Sequence, residues 1–248
     1  MKIKLLGKNL QRISALLEKY NWIDSGTDTP ELIVTYGGDG ALLGAEREFP
    51  GVPKLPLRDA ETAPTCAAHQ PENVIRSFID GKLALTELPR LTASADCGKL
   101  TGINDLLIHS AEFTSALRCR VFIDGELYAS EVVGDGICFA SVHGSTAYYR
   151  NIARGVFRVG VGLAFSNSTE AVNHLVLPET SEVTVEILRG PGLVMADNDP
   201  RKLQLEVGEK VTLCQNGRPA LIWGLEGFMC QFCRARRHHL HSLNEKEY

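Results

Sequence analysis

The sequence predicts an α/β region built on a parallel sheet, followed by an all-β region and a short tail. Two observations predict this. Over residues 1–88, apolar strand-like runs alternate with helical stretches in the manner of βαβ units. Over 89–225 the texture changes to short β-branched runs punctuated by turn signals, and residues 226–248 form an aromatic and basic tail.

In the first region the spacing predicts a strand at Ile3–Leu6, a helix around Leu10–Tyr20, a strand at Leu32–Tyr36 and a helix after Asp39. The polar, proline-containing interval from Val52 to Pro71 reads as a loop or lid, and Glu72–Ile79 as a further helix. In the second region Asp124-Gly125 lies between alternating apolar runs, a strong hairpin signal. Strands are expected on either side of it and at Ile137–Ala140, Val159–Phe165, Val183–Leu188, Leu203–Val207, Lys210–Cys214 and Ala220–Trp223.

Composition excludes several classes. The 248 residues are 44% hydrophobic and 23% charged, with a formal net charge of −4, which argues against a disordered chain and against a nucleic-acid partner. Arg234, Arg236 and Arg237 read as a solvated tail or a subunit contact. No apolar run approaches the ~18 residues of a membrane span and no secretory leader is evident, so no membrane role is expected and the protein is expected to be cytoplasmic. Seven cysteines, odd in number and scattered, read as reduced thiols in apolar surroundings. Cys230-Gln231-Phe232-Cys233 has metal-ligand spacing and His238, His239 and His241 follow it. A second such pair is missing and the interval to the histidines does not fit a zinc finger, so no structural metal is expected.

Three segments carry chemistry. Leu32–Tyr36 runs directly into Gly37-Gly38-Asp39-Gly40. Glycines there let a phosphate approach main-chain N–H groups, and Asp39 can hold Mg²⁺ or accept a hydroxyl proton; the same residues would also make a plain tight turn. Asn104-Asp105 sets an amide beside a carboxylate before an apolar strand, which is equally a turn signature. After Asp135-Gly136 and the strand Ile137–Ala140 comes His143-Gly144-Ser145-Thr146-Ala147-Tyr148, where Ser145 is placed as a helix N-cap and the helix N-terminus would attract phosphate or carbonyl oxygens.

In this order the segments resemble the NAD kinase family, within the broader group that includes diacylglycerol and sphingoid-base kinases. Gly37–Gly40 matches its GGDG motif, Asn104-Asp105 stands where an Asn-Glu pair usually lies, and Asp135-Gly136 with Gly144–Tyr148 resembles its DG and TGSTAY segments. Ala196-Asp197-Asn198 is similar to its Val-Asp-Gly strand, and Phe228–Arg237 to its C-terminal segment. The resemblance implies a Rossmann-like parallel sheet plus an all-β domain, and ATP-dependent phosphorylation of the adenosine-ribose 2′-hydroxyl of NAD(H) to NADP(H). It gives Asp39 the hydroxyl, as base or through Mg²⁺, and gives Gly37, Gly38 and Gly40 the ATP phosphates. Asn104 and Asp105 would bond ribose hydroxyls. Asp135, Ser145, Thr146, Ala147, Tyr148 and Asp197 would complete the substrate site. A homo-oligomer, dimer or tetramer, is implied as well.

The pattern also breaks. Where the family has a glycine-rich segment ending in Phe, this chain has Gly51-Val52-Pro53-Lys54-Leu55-Pro56-Leu57-Arg58-Asp59-Ala60, with Lys54 and Arg58 read as solvated surface cations. Asp105 replaces Glu, His143 stands where Thr or Ser is usual and reads as a turn residue, and Arg154 replaces a small residue. A kinase of another hydroxyl substrate, and a non-catalytic nucleotide-binding protein, therefore stand as alternatives.

Overall fold

A computed structural model describes the chain except residues 23, 27, 60, 62–64, 113, 226–229, 231 and 234–248. It divides into two compact units: Met1–Glu87 together with the chain from Ala220 onward, and Leu88–Pro219. Among the described residues no helix is long and apolar enough to cross a membrane.

The first unit contains β1 (Ile3–Gly7), α1 (Ser14–Lys19), β2 (Leu32–Gly37), α2 (Asp39–Glu48), β3 (Lys54–Arg58), α3 (Pro71–Ile79) and β4 (Leu85–Leu88). Its sheet runs β1-β2-β3-β17-β4, where β17 is Ala220–Trp223. β1, β2, β3 and β17 are parallel neighbours, with Ile3 opposite Leu32 and both Ile33 and Ile222 opposite Lys54. β2 is a near-continuous apolar run, as a strand covered on both faces must be, and five of its six residues are buried. Leu17, Leu32, Leu55, Leu57 and Ile75 share its core. Phe78 of α3 meets Trp22 and Trp223 edge to face at 5.6 and 5.4 Å, which ties β17 to the helix layer.

Four expectations are corrected here. The helix at Leu10–Tyr20 is broken into a 3₁₀ turn, Leu10–Arg12, and α1, with the Ser14 hydroxyl donating back to Gln11 O. The interval Val52–Pro71 is not a loop throughout, because β3 lies within it and is buried along its whole length. Its ends are charged, but Lys54 is closed off by an ion pair with Glu46 and a bond to Phe49 O, and Arg58 by Asp39. The two cations are thus buried, not solvated. Ala220–Trp223, expected in the β-rich region, fills the first sheet instead.

The second unit continues with β5 (Leu91–Ala95), β6 (Gly98–Gly102), β7 (Asp105–Ser110), β8 (Leu117–Ile123), β9 (Glu126–Gly134) and β10 (Gly136–Ala140). Then follow α4 (Tyr148–Ala153), β11 (Val161–Ser166), β12 (His174–Leu177), β13 (Val183–Arg189), β14 (Gly192–Ala196), β15 (Leu203–Leu205) and β16 (Lys210–Gln215). The sheets β12-β11-β10-β7-β14-β15 and β6-β5-β16-β13-β8-β9 share one apolar core, so the unit is a β sandwich. The β8–β9 hairpin turns on Asp124 and Gly125, φ 52° and 84°, the two positive values a tight two-residue turn requires. The face of β10 and β11 away from that core carries Cys138, Ala140 and Ala164 against Tyr149 and Phe157. Both faces of β10 are therefore covered, and all five of its residues are buried. Cys119 and Cys138 are buried thiols, as expected, whereas Cys97 is exposed.

Candidate functional site

In the first unit β2 ends at Gly37, Gly38 is the N-cap of α2 and Asp39 is its first residue. An acidic side chain there sits at the positive end of the helix, and the N–H groups of the first turn are the ones with no partner inside the helix. Among the described residues no atom lies within 4 Å of the position a Cβ would take on Gly38, so that side of the turn is open. Asp39 keeps 56% of its side chain exposed, and the Arg58 guanidinium donates to its Oδ1 at 2.9 Å. Arg58 is the register partner of Gly37, so the sheet itself delivers the guanidinium to the turn. Next to it Asp59 is buried and accepts from Arg12, the Tyr36 hydroxyl and the Glu61 N–H. Burial alone would raise the Asp59 carboxyl, but the Glu61 N–H, the Asn9 side chain, Arg12 and Tyr36 hold it below the usual carboxylate range.

In the second unit a group of turns meets at one end of β7, β10 and β14. Asp197 anchors it, in left-handed backbone at φ 45°, with its carboxylate accepting from the N–H groups of Ile103, Asn104 and Asp105 at 2.8, 2.9 and 3.1 Å. A Cβ on Gly102 would lie 2.8 Å from Asp197 Oδ1. Ser141 welds this turn to the next: its hydroxyl donates to Ile103 O at 2.6 Å and accepts from Gly144 N–H at 3.1 Å, while its N–H donates to Asn104 O at 2.9 Å. Gly144 lies directly on that carbonyl, and a Cβ there would stand 1.8 Å from Asn104 O. Asn104 Oδ1 is buried and has no hydrogen-bond partner among the described residues. Asp105 is 6% exposed, and its carboxyl is pushed up to about 7, first by burial and then by the charge of Asp197, against the Tyr148 N–H, which favours the ionised form.

The structure thus gathers Asn104, Asp105, Ser145, Thr146, Ala147, Tyr148 and Asp197 at one end of the sheet, and Gly37–Gly40 at one strand end of the other unit. Ser145 does not cap the helix as expected: it is buried in a 3₁₀ turn, Gly144–Thr146, and its hydroxyl donates to Val142 O at 2.7 Å. Ala147 is the N-cap residue of α4. Asp197 touches backbone in the three bonds above, which makes it a support of the turn. Asp135 precedes β10, whose far end at Ala140 pairs with Asp105, so it lies about 17 Å from the cluster by strand rise. There it accepts from Asn167 at 2.7 Å. Sequence reasoning missed Ser141, whose signal was a small hydroxyl residue just before Gly144. It also missed the Arg58–Asp39 pair, which follows from the parallel register once β3 is recognised.

One arrangement runs against the expectation that no structural metal is present. Cys66 and His69, themselves three residues apart, lie against Cys230 and Cys233, their ligating atoms all within 4.8 Å of one another. The second metal-ligand pair absent from the local sequence is supplied from elsewhere in the chain. His238, His239 and His241 lie outside the described residues.

The chain is 28% identical over 211 residues to the NAD kinase of Gemmatimonas aurantiaca, an alignment covering 79% of this chain and 69% of that protein. It is 23% identical over 200 residues to the NAD kinase of Clostridium beijerinckii, covering 73% of this chain and 65% of the relative. No protein-family model matches. The fold superposes on the crystal structure of yeast NADH kinase complexed with NADH with a TM-score of 0.75 at 16% identity, covering 100% of this chain and 90% of the other. An NAD kinase from Archaeoglobus fulgidus in complex with ATP gives the same score and identity, covering 95% and 99%. In sequence the chain is similar to these NAD kinases, and in fold to these NAD and NADH kinase structures.

Proposed function

We propose that the chain transfers the γ-phosphoryl group of ATP to the adenosine-ribose 2′-hydroxyl of NAD(H). The observation that carries this reading is Asp39: an exposed carboxylate on the first residue of α2, beside an open glycine turn and oriented by a buried arginine. Phosphoryl transfer needs positioning and charge neutralisation more than covalent help from the protein. The N–H groups at the start of α2 would receive phosphate oxygens, and Asp39 would take the hydroxyl proton or hold Mg²⁺. An exposed carboxylate suits a hard cation that keeps several waters. When bound with ATP, that ion supplies neutralisation of the phosphate charge. In the second unit the orphaned Asn104 Oδ1 would accept a ribose hydroxyl, Asp105 would bond its neighbour, and Tyr148, 39% exposed, would present a ring to a base. Ser141, Gly144 and Asp197 would hold these groups in place.

A second reading, phosphorylation of a different hydroxyl compound, is favoured by β3: the stretch that is glycine-rich in the family is here a buried strand. The test is purified protein with ATP and Mg²⁺, assayed for NADP from NAD and NADPH from NADH. Asp39→Asn should lower turnover by about 10²–10⁴-fold while the protein stays folded by circular dichroism, with some loss of stability because the buried Arg58 loses its carboxylate partner. If NAD and NADH are both inert while another alcohol drives ADP release, the second reading replaces the first.

A further inference from the structure

Among the described residues, the first unit holds a concentrated set of soft ligands outside the phosphoryl site. Cys66 begins a Cys-x-x-His pair, with His69 ending the 3₁₀ turn Ala67–His69, and Cys230 begins a Cys-x-x-Cys pair 164 positions later. Cys66 Sγ lies 3.2 Å from His69 Nδ1, 4.0 Å from Cys230 Sγ and 3.6 Å from Cys233 Sγ, and Cys233 Sγ lies 3.5 Å from His69 Nδ1. A regular tetrahedron with Zn–S of about 2.3 Å and Zn–N of about 2.05 Å has S···S edges of about 3.8 Å and S···N edges of about 3.6 Å. The two S···S edges bracket the first value, and the two S···N edges lie just below the second. None of these cysteines is in a disulfide.

The surroundings match the chemistry as well. Cys66 N–H donates to Cys233 Sγ at 3.3 Å, and Cys230 Sγ takes the N–H groups of Phe232 and Cys233. Backbone N–H groups aimed at sulfur stabilise thiolate charge and fix the ligands' orientation. Cys233 is fully buried and the other three ligands are half-buried. Three thiolates and an imidazole on a tetrahedron select zinc among biological divalent ions, and a complete set of four leaves no open position for catalysis.

We propose that Cys66, His69, Cys230 and Cys233 bind one structural Zn²⁺ that staples the segment at Cys230–Cys233 to the turn at Cys66–His69. Three S–H bonds give up protons to solvent, three Zn–S bonds form, and His69 contributes a nitrogen lone pair, leaving a site of net charge −1. The metal replaces apolar burial as the tie between two chain segments far apart in sequence. It also fixes the end of the stretch that leaves β3 at Arg58 and Asp59.

The test uses the full chain, expressed and purified without chelator, and is independent of phosphoryl transfer. Elemental analysis should find one zinc per chain, and Cys66→Ser or Cys233→Ser should lower it to less than a fifth of that, with Cys97→Ser unchanged. Should those variants fail to fold, the wild-type protein still decides. After chelation under reducing conditions, Co²⁺ should give the visible bands of a tetrahedral thiolate complex, and Zn²⁺ should erase them and withdraw three thiols from a thiol reagent. The proposal is overturned if the reduced wild-type chain carries no zinc and neither Co²⁺ nor Zn²⁺ alters its spectrum or thiol count. A Cys230–Cys233 disulfide in freshly purified protein would overturn it equally.

Discussion

Replacing Asp105 with asparagine removes an ionisation that the fold opposes. Its carboxyl, 6% exposed and beside Asp197, rises from the ordinary 3.8 to about 7 on folding. The native state therefore holds a proton that the unfolded chain has released across that interval, so this group's contribution is greatest below pH 3.8 and is lost as pH rises through about 7. At about 1.4 kcal/mol per pH unit the full loss is about 4 kcal/mol, and relaxation around the charge should bring the reading to about 2–4 kcal/mol. The amide in Asp105→Asn keeps the shape of the carboxyl and cannot titrate. Urea unfolding of both proteins from pH 4.5 to 8.5 isolates the effect, because titrating groups not coupled to Asp105 cancel in the difference. Both tryptophans, Trp22 and Trp223, belong to the first unit, so far-UV circular dichroism is the signal for the β sandwich. The stability of Asp105→Asn relative to wild type should climb steadily to about pH 7 and then level off. A difference that stays flat across the range, or falls, refutes the assigned environment of Asp105.

Three further outcomes follow from packing. Gly144→Ala puts a methyl within 1.8 Å of Asn104 O and 2.3 Å of its carbon, and should cost about 3 kcal/mol and raise KM for the dinucleotide; an unchanged melting temperature would contradict the contact. Lys54→Met leaves the Glu46 carboxylate buried beside an apolar side chain and should cost about 3–5 kcal/mol in chemical denaturation, against less than 1 kcal/mol if the pair is solvated. Asp135→Ala, at the far end of β10, should leave KM for NAD within about twofold, whereas Ser141→Ala, which loses bonds to both turns, should raise it and cost about 1–3 kcal/mol.

The parts legible in sequence were those with a local signature. Gly37–Gly40 after an apolar run, the Asp124-Gly125 hairpin and the alternating strands of the sandwich each follow from nearby residues alone. β3 was not legible: charges at both of its ends and Pro56 in its middle read as a loop, and partners on α2 and at its C-cap help to make Lys54 and Arg58 buriable. Ser145 looked like a helix cap because hydroxyl residues favour caps, but the backbone at Ala147 begins α4 instead. Ser141, the support of both turns, bonds Gly144 close by, but its partners Ile103 and Asn104 lie far off in the chain, where no local pattern reveals them. The same holds for the approach of Cys66 and His69 to the Cys230–Cys233 pair, which alone had a local spacing signal.

β17 has a consequence for how the chain is made. It lies between β3 and β4, both of which precede the second unit in sequence. During synthesis the ribosome delivers both neighbours and then about 130 residues of sandwich before the strand that separates them. At 5–20 residues per second that delay is roughly 7–26 s. Over that time the β3 edge, Lys54–Arg58, waits without its neighbour, the kind of unpaired apolar strand that holding chaperones shield. The sandwich has its full sequence first, and the sheet that bears Asp39 closes last.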